Sequence, residues 1–222
     1  MMAAFALSSL RDKLGYHPAL LGLVALAASA TLAVTDSFTH SGIINAEARD
    51  LQQSLAQVLP AGFADNDLLR DQVEIRKGDV PVKVYRARLA GEARGAVFEN
   101  ASRGYADDVV VLIGVDLEGK ILGVRVTRHK ETPGLGDKIE IAKTRWITSF
   151  DGKSLGNPAI AQWGVKKDGG IFDQFAGATI TPRAVVKAVR EGLEFYAAHK
   201  TEIYAAPAPQ QAAEGHEKEH AK

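Results

Sequence analysis

Val109-Val110-Val111-Leu112-Ile113-Gly114-Val115 and Ile121-Leu122-Gly123-Val124-Arg125-Val126 are two apolar runs, and Asp116-Leu117-Glu118-Gly119-Lys120 lies between them. Two β-branched runs joined by a short polar connection with a glycine predict a β-hairpin. Upstream, Pro81-Val82-Lys83-Val84-Tyr85-Arg86-Ala87-Arg88-Leu89 alternates apolar and polar side chains, the period of a half-buried strand. Downstream the period changes. Val185, Val186, Val189, Leu193 and Tyr196 recur at i, i+1, i+4, i+8 and i+11, which predicts a helix with one apolar stripe. Strands followed by a terminal helix predict an α+β domain with an antiparallel sheet and packed helices.

The chain has 222 residues, enough for one domain with a core plus an appendage. Its 27 basic and 27 acidic residues cancel, which argues against a nucleic-acid partner, since such surfaces carry a basic excess. There is no cysteine, so disulfides, thiolate metal sites and iron–sulfur clusters held by this chain are excluded. Asp65-Asn66-Asp67 reads as a solvated turn rather than a metal site, and the His216 and His220 pair likewise as solvated side chains. No metal is expected.

Residues 18–35 read PALLGLVALAASATLAVT without a charge, a length at the short end of what crosses a ~30 Å hydrocarbon core. Tyr16 and Phe38 suit its interfaces. A cleaved signal peptide is the competing reading, with Arg11 and Lys13 as its basic region and Ala28-Ser29-Ala30 as the cleavage site. The retained anchor is preferred because Leu32-Ala33-Val34 prolongs the apolar run. Arg11 and Lys13 before the run and Asp36 after it predict a cytoplasmic N-terminus. The expected organisation is therefore residues 1–17 in the cytoplasm, a transmembrane helix over 18–36, an extracytoplasmic domain over 40–204 and a disordered tail over 205–222. Ile44, Ala48, Leu51, Leu55 and Val58 mark an amphipathic helix closed by Pro60.

Two further stretches carry the candidate chemistry. Ala176-Gly177-Ala178-Thr179-Ile180-Thr181-Pro182 opens the C-terminal helix. Pro182 suits the first helical position, which makes Thr181 the expected N-cap. Small residues leading into a helix N-terminus suit an anion such as phosphate. His129-Lys130-Glu131-Thr132-Pro133-Gly134-Leu135-Gly136-Asp137-Lys138 follows the hairpin and reads as a tight loop at a strand end. His129 has no evident acid–base partner in the sequence, and a structural or solvent-facing role is expected of it.

Both stretches resemble the FMN-binding domain shared by the G subunit of the Rnf complex and the C subunit of the sodium-pumping NADH:quinone oxidoreductase. The first resembles the Ser/Thr-Gly-Ala-Thr-x-Thr motif, with Ala176 at the position that is usually Ser or Thr. The second resembles Glu-Thr-Pro-Gly-Leu-Gly, and His129-Lys130 before it favours the Rnf form. The resemblance extends through Trp146, Phe150, residues 165–170 and Phe172-Asp173-Gln174. It implies that Thr181 carries FMN through a phosphoester bond. It further implies that Gly177, Ala178 and Thr179 border the phosphate, that Gly134, Leu135 and Gly136 lie against the ring, and that Glu131 and Thr132 add polar contacts. Lys166, beside Lys167, balances flavin charge in that reading.

The implied function is an electron-transfer subunit of a membrane-bound, ion-translocating Rnf complex in the bacterial inner membrane, passing single electrons through FMN. Its implied partners are the other subunits, above all the flavin-bearing D subunit, with membrane lipid around the anchor and a flavin transferase for maturation. The sequence offers no nucleophile–base pair and no dinucleotide-binding glycine pattern, so no substrate chemistry of its own is expected. The alternatives are the C subunit of the quinone-reducing relative and a membrane-anchored periplasmic scaffold without redox function.

Overall fold

A computed structural model describes residues 16–205. The expectations for the N-terminal residues 1–15, including Arg11 and Lys13, and for the tail from 206 onward, including His216 and His220, lie outside the described residues. The chain divides into two compact units, Met1–Asp50 and Leu51–Lys222.

From Tyr16 onward the backbone of the first unit is helical. Helix α1 runs Tyr16–Gln57, so the two helical segments expected from the sequence are one. The residues between them, 37–43, hold no proline to interrupt the ladder. Among the described residues no helix is long and apolar enough to cross a membrane. The apolar run of residues 18–35 lies in the N-terminal part of this helix. Within it Leu21, Leu23, Leu26 and Leu32 are exposed. Thr31 Oγ1 donates to the Ala27 carbonyl and Thr35 Oγ1 to that of Thr31, both at 2.8 Å.

The second unit is an antiparallel meander, β1 (Gln72–Lys77), β2 (Val80–Leu89), β3 (Glu92–Arg103), β4 (Asp108–Asp116) and β5 (Ile121–Arg128), in sequential order. The predicted hairpin is β4–β5, with Gly114 opposite Gly123. Strand β1 escapes the pattern reading because its alternation holds only two apolar residues, Val73 and Ile75, and β3 because its apolar stretch is only Ala96-Val97-Phe98. Helix α2 (Ile180–Ala205) lies across β3 and β4. Its Val185, Val189 and Leu193 meet Phe98, Val111, Ile113 and Val124 in the main core.

The opposite face of the sheet is also covered, where Leu55 and Val58 pack with Tyr85, Val97 and Leu112. This is why β2 buries the consecutive residues Val84–Ala87 rather than alternating as expected. A Cβ on Gly114 would stand 2.5 Å from the Val58 carbonyl oxygen, and one on Gly123 would stand 2.9 Å from it. The paired glycines let the backbone at Val58 lie directly on the sheet. The Asp65–Asp67 turn is not free in solvent: Asn66 accepts from the Arg88 amide at 2.8 Å and donates to the Arg86 carbonyl at 2.9 Å.

Between β5 and α2 the chain forms four short 3₁₀ turns around an aromatic cluster. Phe150 stacks on Phe172 at 4.4 Å, and Trp163 lies 5.5 Å from Phe172. Trp146 meets Phe150 and Phe175 edge-on, at 5.4 and 5.2 Å. This cluster anchors the irregular segment that delivers residues 176–181 to the end of β5.

Candidate functional site

The turn between β3 and β4, the segment leaving β5 and the start of α2 meet at one cleft of about 270 Å³. Glu131, Thr132, Leu135 and Gly136 line it from one side, and Gly177, Ala178, Thr179 and Thr181 from the other. Gly134 shapes the turn but does not line the cleft. Lys166 is elsewhere, its Nζ 2.6 Å from the Asp173 carboxylate. Tyr105 and Ile180 complete the lining. Neither is legible as a site residue in the sequence, where Gly104-Tyr105 at the β3–β4 turn is the signal available for the first.

Thr181 is 1% exposed. It is not the N-cap. Helix α2 begins at Ile180, and the Thr179 carbonyl accepts from the Arg183 amide, so the cap position falls at Thr179. The Thr181 hydroxyl is thereby released from the helix end, and it donates to Glu131 Oε2. Arg183 is held by a bidentate pair with Asp168, at 2.6 and 2.7 Å. That arginine holds the Asp168 carboxyl below the usual carboxylate range.

Glu131 is 5% exposed. Its Oε1 accepts from the backbone amides of Tyr105 at 2.9 Å and Ala106 at 3.2 Å. The Thr181 hydroxyl and the two amides thus all donate to its oxygens. The Glu131 amide in turn donates to His129 Nδ1 at 3.1 Å. That assigns the remaining ring proton of neutral His129 to Nε2, 3.0 Å from Glu140 Oε1. The structural role expected of His129 is the one observed: it accepts from the Glu131 amide, and Glu140 is a partner that the sequence does not reveal.

Several contacts fix the geometry around this pair. Lys130 Nζ lies 2.7 Å from Asp107 Oδ2 and fastens the strand end to the β3–β4 turn. The same lysine, with the Asp108 amide, holds the Asp107 carboxyl below its ordinary range. The turn after Thr132 closes through the Leu135 and Gly136 amides on the Thr132 carbonyl, at 3.1 and 3.0 Å. The Gly134 amide beside Asp137 is the main reason that the Asp137 carboxyl also titrates low. A Cβ on Gly136 would stand 2.9 Å from Thr181 Oγ1 and 2.8 Å from Glu131 Cβ, and one on Gly104 would stand 2.5 Å from Glu131 Oε1. Both positions admit only a hydrogen at this distance. Gly177 has φ +79°, a left-handed conformation that favours glycine. Among the described residues no group of three or more His, Asp or Glu could hold a metal ion.

Comparison with known proteins places these residues in a family. Residues 104–194 match the FMN-binding domain. The G subunit of the ion-translocating oxidoreductase complex of Pseudomonas aeruginosa (strain UCBPP-PA14) is 46% identical over 98% of this chain and 100% of that protein. Its counterpart in Stutzerimonas stutzeri is 47% identical over 86% of this chain and 84% of that one. The corresponding figures for Cereibacter sphaeroides (strain ATCC 17029 / ATH 2.4.9) are 47%, 84% and 85%. Among solved structures, the crystal structure of Shewanella oneidensis NqrC aligns with 66% of this chain and 74% of that one, at 22% identity and a TM-score of 0.44.

Proposed function

The chain belongs to the family of G subunits of Rnf ion-translocating oxidoreductase complexes, and from that premise we propose that it relays single electrons through an FMN joined to Thr181 by a phosphoester bond. One observation carries the site: Thr181 lines the cleft with its hydroxyl held on the buried carboxylate of Glu131. The residues present fit the group. Gly136 and Gly177 form a cradle in which a side chain would clash or be strained, and the first turn of α2 presents backbone amides suited to a phosphate. FMN, when bound, supplies the one-electron chemistry. The chain tethers it, holds its phosphate end and leaves the rest accessible.

The cleft is smaller than the roughly 300–1,000 Å³ of sites that enclose small molecules. It suits the phosphate end, with the ring against the exposed side chains of Tyr105, Leu135 and Ile180. An exposed ring suits exchange with a partner subunit, and the flavin-bearing D subunit is the partner proposed. A flavin transferase acting on the exported domain installs the group. Residues 18–36 form a single span in the bacterial inner membrane, with residues 1–17 cytoplasmic and the domain over 40–204 periplasmic. The exposed leucines of that run and its two threonine hydroxyls spent on carbonyls one turn back suit a lipid environment.

The test is the mass of the intact chain and its flavin fluorescence on a denaturing gel. Wild type made alongside the transferase is expected to carry one FMN, and Thr181→Ala none. A fluorescent Thr181→Ala band would remove the assignment, and a dark wild-type band would favour the scaffold alternative. For the topology, protease added to intact spheroplasts is expected to digest the domain. Digestion only in inverted vesicles would reverse the orientation.

A further inference from the structure

We propose that Glu131 is the proton acceptor that activates Thr181 when FMN is attached. This rests on the reading of Thr181 as the FMN acceptor. A threonine hydroxyl is a weak nucleophile and requires an adjacent base. Here the base is already in contact, since the Thr181 hydroxyl donates to Glu131 Oε2. The other oxygen of the carboxylate is fixed by the Tyr105 and Ala106 amides, and Gly104 and Gly136 bring turn and threonine within reach. Glu131 and Tyr105 are the titratable residues lining the cleft, and Tyr105 is 69% exposed. His129 is turned away on Glu140, and Arg183 is taken by Asp168.

In the attachment step the Thr181 O–H bond breaks as Oγ1 bonds to phosphorus, and the proton passes to Glu131 Oε2. The bond from phosphorus to the leaving phosphate breaks, and its electron pair departs with that phosphate. A phosphate monoester has no such leaving group, so the donor is a pyrophosphate ester of FMN, such as a flavin dinucleotide. Nothing is oxidised or reduced. Glu131 ends as a neutral carboxyl able to donate to the new phosphodiester, so two buried anions do not face each other.

Full-length chain from a host without the transferase is mixed with purified transferase and flavin dinucleotide, and the initial mass gain is followed across pH. Glu131→Gln keeps the shape and the acceptor for the two amides but takes no proton. It is expected to react about 10²–10⁴-fold more slowly than wild type, with the gap narrowing as pH rises and hydroxide replaces the base. Formate is expected to accelerate Glu131→Ala and to leave Thr181→Ala unmodified. A Glu131→Gln rate within about twofold of wild type overturns the proposal, and so does a slowing that is the same at every pH. Should the glutamine chain fail to fold by circular dichroism, Glu131→Asp takes its place. It is expected to be slower with the wild-type pH profile, and a rate that climbs steadily with pH overturns the proposal. If wild type gains no mass, or Thr181→Ala gains as much, the acceptor reading itself fails, whatever Glu131 does.

Discussion

Thr181 and Glu131 make the site's chemistry depend on fractions of an ångström, and two glycines in the same turn separate reach from shape. Gly136→Ala puts a methyl 2.9 Å from Thr181 Oγ1. We expect a stability loss of ~1–3 kcal/mol from overpacking and a marked drop in FMN attachment, read by intact mass. At Gly134 an added Cβ meets nothing within 4 Å, but φ is +79°. Gly134→Ala is therefore expected to cost ~1–2 kcal/mol of backbone strain and to leave attachment near wild type. Equal attachment in the two variants would show that the close approach at Gly136 is unimportant. Thr181→Ala removes the donor to Glu131 Oε2, a loss of about 1–3 kcal/mol for a buried acceptor left unsatisfied, checked by thermal melting of the unmodified chains. That Gly177, Ala178, Thr179 and Thr181 share one cleft wall was legible in the sequence because they are nearly contiguous. The partners of Glu131 were not, because the Tyr105 and Ala106 amides come from another strand connection, and no periodicity links 105 to 131.

At the scale of elements, β4–β5 announce themselves as two apolar runs about a polar turn and α2 by its period of 3.6, whereas what joins the elements does not. The pairing of Gly114 with Gly123 under Val58 reads in the sequence only as glycine in a strand. Gly114→Val is expected to force Val58 off the sheet, to lower the melting temperature and to speed proteolysis within residues 51–60. Cleavage there at the wild-type rate would remove this account of the contact. The buried Arg86 likewise gives no pattern signal. It lies 1% exposed in β2, its Nε 2.6 Å from Asp71 Oδ1, while Arg88 Nε lies 2.6 Å from Asp71 Oδ2. Arg86 also reaches the Ile203 carbonyl near the end of α2, so one ion network ties helix to sheet. Asp71→Ala removes the carboxylate that balances two guanidinium groups and is expected to cost about 3–5 kcal/mol, measured by urea unfolding. The misplaced N-cap has the same origin: Pro182 suggested the first helical residue, but the helix starts earlier and frees Thr181 for Glu131.

For the whole molecule, the titrating groups bound a pH window of stability. Asp107, Asp137 and Asp168 have folded-state pKa values below the ordinary 3.8. In acid the unfolded chain binds their protons first, so their contribution is present above about pH 4 and lost as pH falls through the lower folded values. Asp151 is raised by burial and works in the opposite sense. Tyr196 and Tyr204 are raised above 10.0, chiefly by burial. Their contribution is present below about pH 10 and lost above it, where the unfolded chain ionises first. Urea midpoints are expected to form a plateau between these limits, and Asp168→Asn is expected to soften the acid limb. An unchanged acid limb in that variant would show that the Asp168–Arg183 pair does not contribute.

The chain has two tryptophans, and Trp146 and Trp163 both belong to the aromatic cluster that feeds the cleft. Trp146 touches Phe175, two residues before Gly177. The molecule therefore carries its own optical gauge: indole emission comes wholly from the segment that positions residues 176–181, and a flavin joined to Thr181 as proposed would draw off that emission by energy transfer. The ratio of indole to flavin light would then measure loading of the intact subunit, without label or chromatography.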